Sequence, residues 1–160
     1  MEPVLIDNEW LAVTLSEGFS AIESAELQEL MGIRYSQVWG VRDTNRHMLI
    51  NVTWKNTNKL LTKLVREKAR AEQIDKSFSK CHSGKDYTCR GFFERTVRGA
   101  SAQAQGFSFC YTVEGVSQEG EVLVFKRGIR CYTLCYYTRS EVAETNRPTY
   151  EDILESLEVR

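Results

Sequence analysis

Chemically reactive side chains crowd together only in the stretch CHSGKDYTC, where Cys81, His82, Asp86 and Cys89 fall within nine residues. A thiol near an imidazole that a carboxylate can orient is the residue set of nucleophilic catalysis. Cys89 supplies the thiol, seven residues from His82 and three from Asp86, in a polar, glycine-containing segment that reads as a loop. Loops commonly crowd polar residues, so the expectation is a solvated loop with incidental thiols and a chain that is not an enzyme. A cysteine-dependent enzyme using Cys89 and His82 is the catalytic alternative. Cys81, His82 and Cys89 are also three possible zinc ligands, but structural zinc takes four in paired short spacings, and neither C-x-x-C nor H-x-x-x-H occurs. No metal and no cofactor is expected.

The remaining polar and thiol groups read as structural. Cys131 and Cys135 lie four residues apart on a strand-like run, a span of about 13 Å against a disulfide limit of roughly 7 Å. They share a face without touching. Cys110 reads as a small buried hydrophobe in a strand. His47, beside Arg46, reads as a turn or surface residue. The carboxylate pairs Glu23 with Glu26 and Glu151 with Asp152 fall at helix starts, where they complement the helix dipole. No glycine-rich phosphate cradle is present.

Elements must position these groups, and the chain has enough apolar material to build them. At 160 residues and 42% hydrophobic content it fits a single domain, 1–160, with one core. Lys plus Arg number 21 against 22 for Asp plus Glu, a net charge of -1, so no field gathers phosphate and no nucleic-acid partner is expected. The opening MEPVLIDNEW lacks the positive start of a secretory signal, and no stretch of about 18 apolar residues could span a bilayer. With an odd cysteine count, the expectation is a cytoplasmic protein, a trimmed secretory or lipoprotein precursor being the alternative.

The clearest pattern lies at the end. Val122 to Lys126 and Ile129 to Tyr137 are rich in β-branched and aromatic residues and are joined through Arg127 and Gly128, which fits an antiparallel hairpin. A helix follows, with Pro148 in its first turn, Thr149 and Asp152 as a capping box, and Tyr150, Ile153, Leu154 and Leu157 on one face. Earlier, Trp10 to Leu15 reads as a strand and Ser24 to Met31 as a short helix that Gly32 ends. Ser36 to Arg42 and His47 to Lys55 form a hairpin around Asp43, Thr44 and Asn45. Asn58 to Asp75 is the longest helix, with Leu60, Leu61, Leu64, Val65 and Ala69 as its apolar stripe. Tyr87 to Val97 and Gln105 to Val113 add strands. Short turns between adjacent strands require antiparallel pairing. In the last strand Ile129, Cys131 and Cys135 point one way while Tyr132, Leu134 and Tyr136 point the other, so helices are expected on both faces. The fold class is α+β: an antiparallel sheet of about six strands packed between helices, an α/β/α sandwich.

LSEGFSAI, HMLINVTWK and FKRGIRCYTLCYYTRSE followed by RPTYEDILESLEV, in that order, resemble the PsbP-like superfamily. That group includes an oxygen-evolving-complex subunit, a Ran-binding import factor, small bacterial lipoproteins and adaptor chaperones for secreted effectors. The likeness covers nearly the whole chain and contains no catalytic signature. It implies an antiparallel sheet between helices and a protein that binds other proteins.

The expected function is therefore a non-catalytic binding module for a protein or peptide. The aromatics Trp10, Trp39, Trp54, Tyr111, Tyr132, Tyr136 and Tyr137 are candidates for a groove on a partly roofed sheet face. Trp39, Tyr132 and Tyr136 are the candidate binding residues. A small-molecule carrier, its cavity between sheet and long helix near Leu64 and Trp54, is the alternative.

Overall fold

A computed structural model of the chain describes residues 1–31, 37–57 and 66–160. Seven strands form one fully antiparallel sheet in the order β3-β4-β5-β9-β8-β7-β6. They are β3 (Ser20–Ala21), β4 (Val38–Asp43), β5 (Met48–Asn56), β6 (Thr88–Arg95), β7 (Ala104–Val113), β8 (Val116–Arg127) and β9 (Arg130–Arg139). A second, small sheet has the order β1-β2-β10 and comprises β1 (Val4–Ile6), β2 (Leu11–Val13) and β10 (Glu158–Val159). Among the described residues three α-helices accompany them: α1 (Ser24–Met31), α2 (Glu67–Cys81) and α3 (Ala143–Ser156), the last preceded by a 3-10 turn at Ser140–Val142. The fold is thus the α+β sandwich expected, with seven strands in its main sheet.

Strand alternation decides which residues meet which layer. On β5, Ile50 and Val52 face α3 and the small sheet, where they join Leu123, Phe125, Tyr132, Leu134 and the α3 residues Tyr150, Ile153 and Leu154 in the largest core cluster. The opposite face carries Phe107, Phe109, Val122, Val124, Cys131 and Cys135, packed against Ala71 and Ile74 of α2. Beside it, Leu27 of α1 packs with Ile22 and Val38. A methyl group on Gly40 would sit 2.7 Å from a Leu27 methyl carbon. The missing side chain is what lets α1 lie directly on β4.

Several boundaries depart from the sequence reading. The closing hairpin turns through Gly128 and Ile129, with Arg127 opposite Arg130. Ile129 is therefore an exposed turn residue and not part of the sheet face. Helix α3 begins at Ala143, so Pro148 and Thr149 lie inside it and no capping box forms; its N-cap, Val142, makes no side-chain cap bond. The early start is held by tertiary bonds. Buried Asn146 donates from Nδ2 to the Arg46 carbonyl at 2.7 Å and to Thr138 Oγ1 at 3.0 Å. Helix α2 runs to Cys81, beyond the expected Asp75, because Ala71, Ile74 and Phe78 continue a helical apolar stripe that Phe107 and Phe109 cover. Ala69, assigned to the stripe, is exposed. Gly32 and residues 58–65, with Leu60, Leu61, Leu64 and Val65, lie outside the described residues. Cys110 is half-buried on β7 rather than buried.

Candidate functional site

Among the described residues α1 and α2 stand on the same sheet face, and their side chains line a recess of about 930 Å³ between them. Its floor is the outward row of the two central strands: Leu49, Asn51 and Thr53 of β5 with Thr133, Cys135 and Tyr137 of β9. Leu27 and Leu30 of α1 form one wall, and Arg70, Ile74 and Phe78 of α2 form the other. Cys81, His82 and Tyr111 stand at one end, with the β4–β5 turn around Thr44 and His47 at another. His47 takes the turn position expected of it, at φ 57° and exposed.

The floor is unusual in polarity. Asn51 has no exposed surface, yet among the described residues neither its Nδ2 nor its Oδ1 has a hydrogen-bond partner. Leaving a buried amide unpaired costs about 1–3 kcal/mol. Among the described residues the buried Nε of Arg70 on the wall has no partner, nor has Nδ1 of His82 at the end. The other charged groups of the lining are engaged. Arg42 pairs with Glu26 at 2.7 Å, and Asp43 pairs with Arg46 at 3.1 Å while accepting the Arg46 backbone N–H at 3.0 Å. The lining can hold an apolar body, while the unpartnered atoms of Asn51, Arg70 and His82 lie beneath its surface.

Within the reactive-looking stretch no hydrogen bond joins the Cys89 thiol to the His82 ring among the described residues. Cys81 ends α2 and is exposed, and His82 caps the helix, its backbone N–H donating to the Phe78 carbonyl at 2.9 Å. The His82 ring stacks on Tyr111 at 4.1 Å between centroids. Burial, with Lys85 adding to it, holds that imidazole below its ordinary value. Cys89 sits on β6, where burial raises its thiol above the ordinary value against an opposing hydrogen bond from the Gly91 backbone. A raised pKa keeps the thiol protonated and so weakens it as a nucleophile. Burial likewise pushes Cys135 up to about 12. Among the described residues no three His, Cys, Asp or Glu side chains converge where a metal could sit. None of their helices is long and apolar enough to cross a membrane.

The aromatic candidates lie elsewhere. Tyr132 is 0% exposed, stacked on Phe125 at 5.3 Å with its hydroxyl donating to Asp7 at 2.8 Å, and Tyr136 is 3% exposed, stacked on Tyr150 at 3.8 Å. Neither side chain reaches a partner, because both fill the core beneath α3 and the small sheet. Trp39 and Trp54 are half-buried on that same face, away from the recess. The cavity therefore lies against α2, as the carrier reading placed it, but on the face opposite Trp54; Leu64 is outside the described residues. Sequence reasoning missed Asn51 and Arg70. Asn51 interrupts the apolar run LINV at a position that alternation assigns to a covered face, and that was a readable signal.

No protein-family model matches the sequence, and no curated protein matches it. Solved structures do share its fold. Cyanobacterial PsbP from Synechocystis sp. PCC 6803 superposes with a TM-score of 0.74 at 12% identity, over 99% of this chain and 92% of that one. The Ran-binding protein Mog1p of Saccharomyces cerevisiae gives 0.62 at 6% identity, over 99% and 94%. LpqN of Mycobacterium tuberculosis, described as involved in cell envelope biogenesis, gives 0.60 at 11% identity, over 98% and 88%. Identities this low speak to architecture, and on it they agree: the chain has the PsbP-like fold.

Proposed function

We propose that the chain is a non-catalytic binding module whose binding element is the recess between α1, α2 and the central strands, and that its partner is a protein or peptide. The observation that carries this reading is the recess of about 930 Å³ on this sheet face, apolar along its walls and edged by exposed Leu30. The fold is shared with a protein described as Ran-binding, which supports a protein partner. The raised Cys89 pKa supports a role without nucleophilic chemistry.

Leu30 is 57% exposed at the edge of the recess, so an incoming apolar group would cover it. Trp10, also exposed, lies in the β1–β2 turn of the small sheet and serves as the control. A partner captured from native extract by the unaltered chain is expected to be lost with Leu30→Asp and retained with Trp10→Asp. Retention by Leu30→Asp together with loss by Trp10→Asp places binding on the small sheet and overturns the reading. A second reading, a small-molecule carrier, is favoured by size: small-ligand sites typically enclose roughly 300–1,000 Å³, a range that includes this recess.

A further inference from the structure

Away from the recess, on the far side of α2, the main sheet ends in an open strand. β6 is the last of the seven, and among the described residues it pairs with β7 on one side and with no strand on the other. Such an edge carries a row of backbone N–H and C=O groups that another chain can pair with, and native proteins blunt it with bulges, prolines and charges. The bulge here lies early. Cys89 opposes Phe109 and Gly91 opposes Ser108, so Arg90 is the extra residue and the ladder is regular from Gly91 to Arg95. No proline interrupts that stretch. Two of its charges are already engaged, Arg90 by Glu119 at 3.2 Å and Arg95 by Glu151 at 2.7 Å.

The two faces of the strand differ. Phe93 packs on the core beneath α3, and Arg95 reaches Glu151 on that helix. Phe92 stands on the opposite face, across from Phe107, and is 46% exposed because α2 lies over β7 and β8. Glu94, two residues on, shares that face. It is exposed, and no ion pair or hydrogen bond engages its carboxylate among the described residues. The open edge therefore offers one apolar side chain and one free negative charge on the same face.

We propose that Gly91–Arg95 is a second interaction surface, which takes an extended segment of a protein partner as an eighth, antiparallel strand. Antiparallel is the direction of every pairing within the main sheet. Backbone pairing supplies affinity in such an addition, and alternate side chains select the sequence. The segment carries a Lys or Arg opposite Glu94 and, two residues later, an apolar side chain opposite Phe92, since opposite charges across a ladder attract and like charges repel.

The probe is the peptide acetyl-Thr-Thr-Lys-Thr-Ile-Thr-Thr-amide, titrated into the ¹⁵N-labelled full chain. It is expected to shift the amides of Gly91 to Arg95 saturably. The same peptide with Glu in place of Lys is expected to bind about threefold weaker or worse, and Glu94→Lys to reverse the order of the two. Two further versions are N-methylated on alternate residues, one on Lys and Ile, the other on the three central Thr. Alternate amides of a paired strand point toward its neighbour, so one version is expected to bind and the other to fail. Absence of shifts at Gly91 to Arg95, or equal binding by the two methylated versions, overturns strand addition. Lys and Glu peptides bound alike overturn the role of Glu94. Leu30→Asp is expected to leave this binding unchanged, so the recess and the edge fail separately.

Discussion

His82 shows how a single residue couples the end of α2 to the recess. Its ring is stacked on Tyr111, lines the recess and leaves Nδ1 without a partner. Burial first, and then Lys85, hold its pKa below the ordinary value. The unfolded chain then takes up a proton at a pH where the folded protein does not, so stability falls as the pH drops through and below about 6.5. Above that value the stabilisation is fully present. His82→Phe keeps an aromatic ring against Tyr111 and removes the titration. Urea midpoints are therefore expected to fall between pH 7 and pH 5.5 in the unaltered protein and to fall less in the variant. Equal falls in both would assign the acid sensitivity to carboxylates. Glu151 belongs to that later window: although burial opposes it, the hydrogen bond from Arg95 and the charge of Arg147 lower its pKa, so its contribution is lost only at more acid pH.

At the scale of elements, a side-chain clasp joins the small sheet to the main one. The β1–β2 turn holds three successive left-handed residues, Asp7, Asn8 and Glu9, at φ 55°, 53° and 70°. Asp7 is buried there and accepts hydrogen bonds from Arg130 Nε at 2.8 Å, from Arg130 Nη2, and from the Tyr132 hydroxyl at 2.8 Å. Removing the carboxylate strands the guanidinium, and breaking such a pair typically costs about 3 kcal/mol. Asp7→Ala is expected to lose about that amount in a urea titration. Asp7→Asn should lose less, since Asn tolerates the left-handed backbone and keeps an acceptor. An Asp7→Ala chain as stable as the original would mean the clasp contributes nothing net. None of this was legible beforehand. Asp7 and Arg130 lie 123 positions apart, and β1 and β10, of three and two residues, are too short to carry a pattern. Long, periodic segments did announce themselves: α1 was read at the residues it occupies, and Tyr150, Ile153 and Leu157 are buried as their spacing required. The ends of α2 and α3 were misread because Phe78 and Asn146 extend them through contacts with distant strands and a distant turn.

For the whole molecule, the two faces of the sheet divide the work. The face under α3 and the small sheet is filled by stacked aromatics and pairs such as Tyr136 with Tyr150, and it carries most of the core. On the other face the described residues of α1 and α2 stand apart over Leu49, Asn51 and Thr53, where a closed core would place larger apolar groups. This explains why the aromatic residues were a poor guide to the site. A second small sheet covers Tyr132, whereas Asn51 is one polar residue in an apolar strand. The most direct test is a ¹H–¹⁵N chemical-shift map of the full chain on addition of the partner captured from native extract. The account predicts that the shifted amides cluster along Leu49 to Thr53, Thr133 to Tyr137 and Arg70 to His82. Shifts confined to Leu5, Trp10 and the neighbouring small sheet would contradict it.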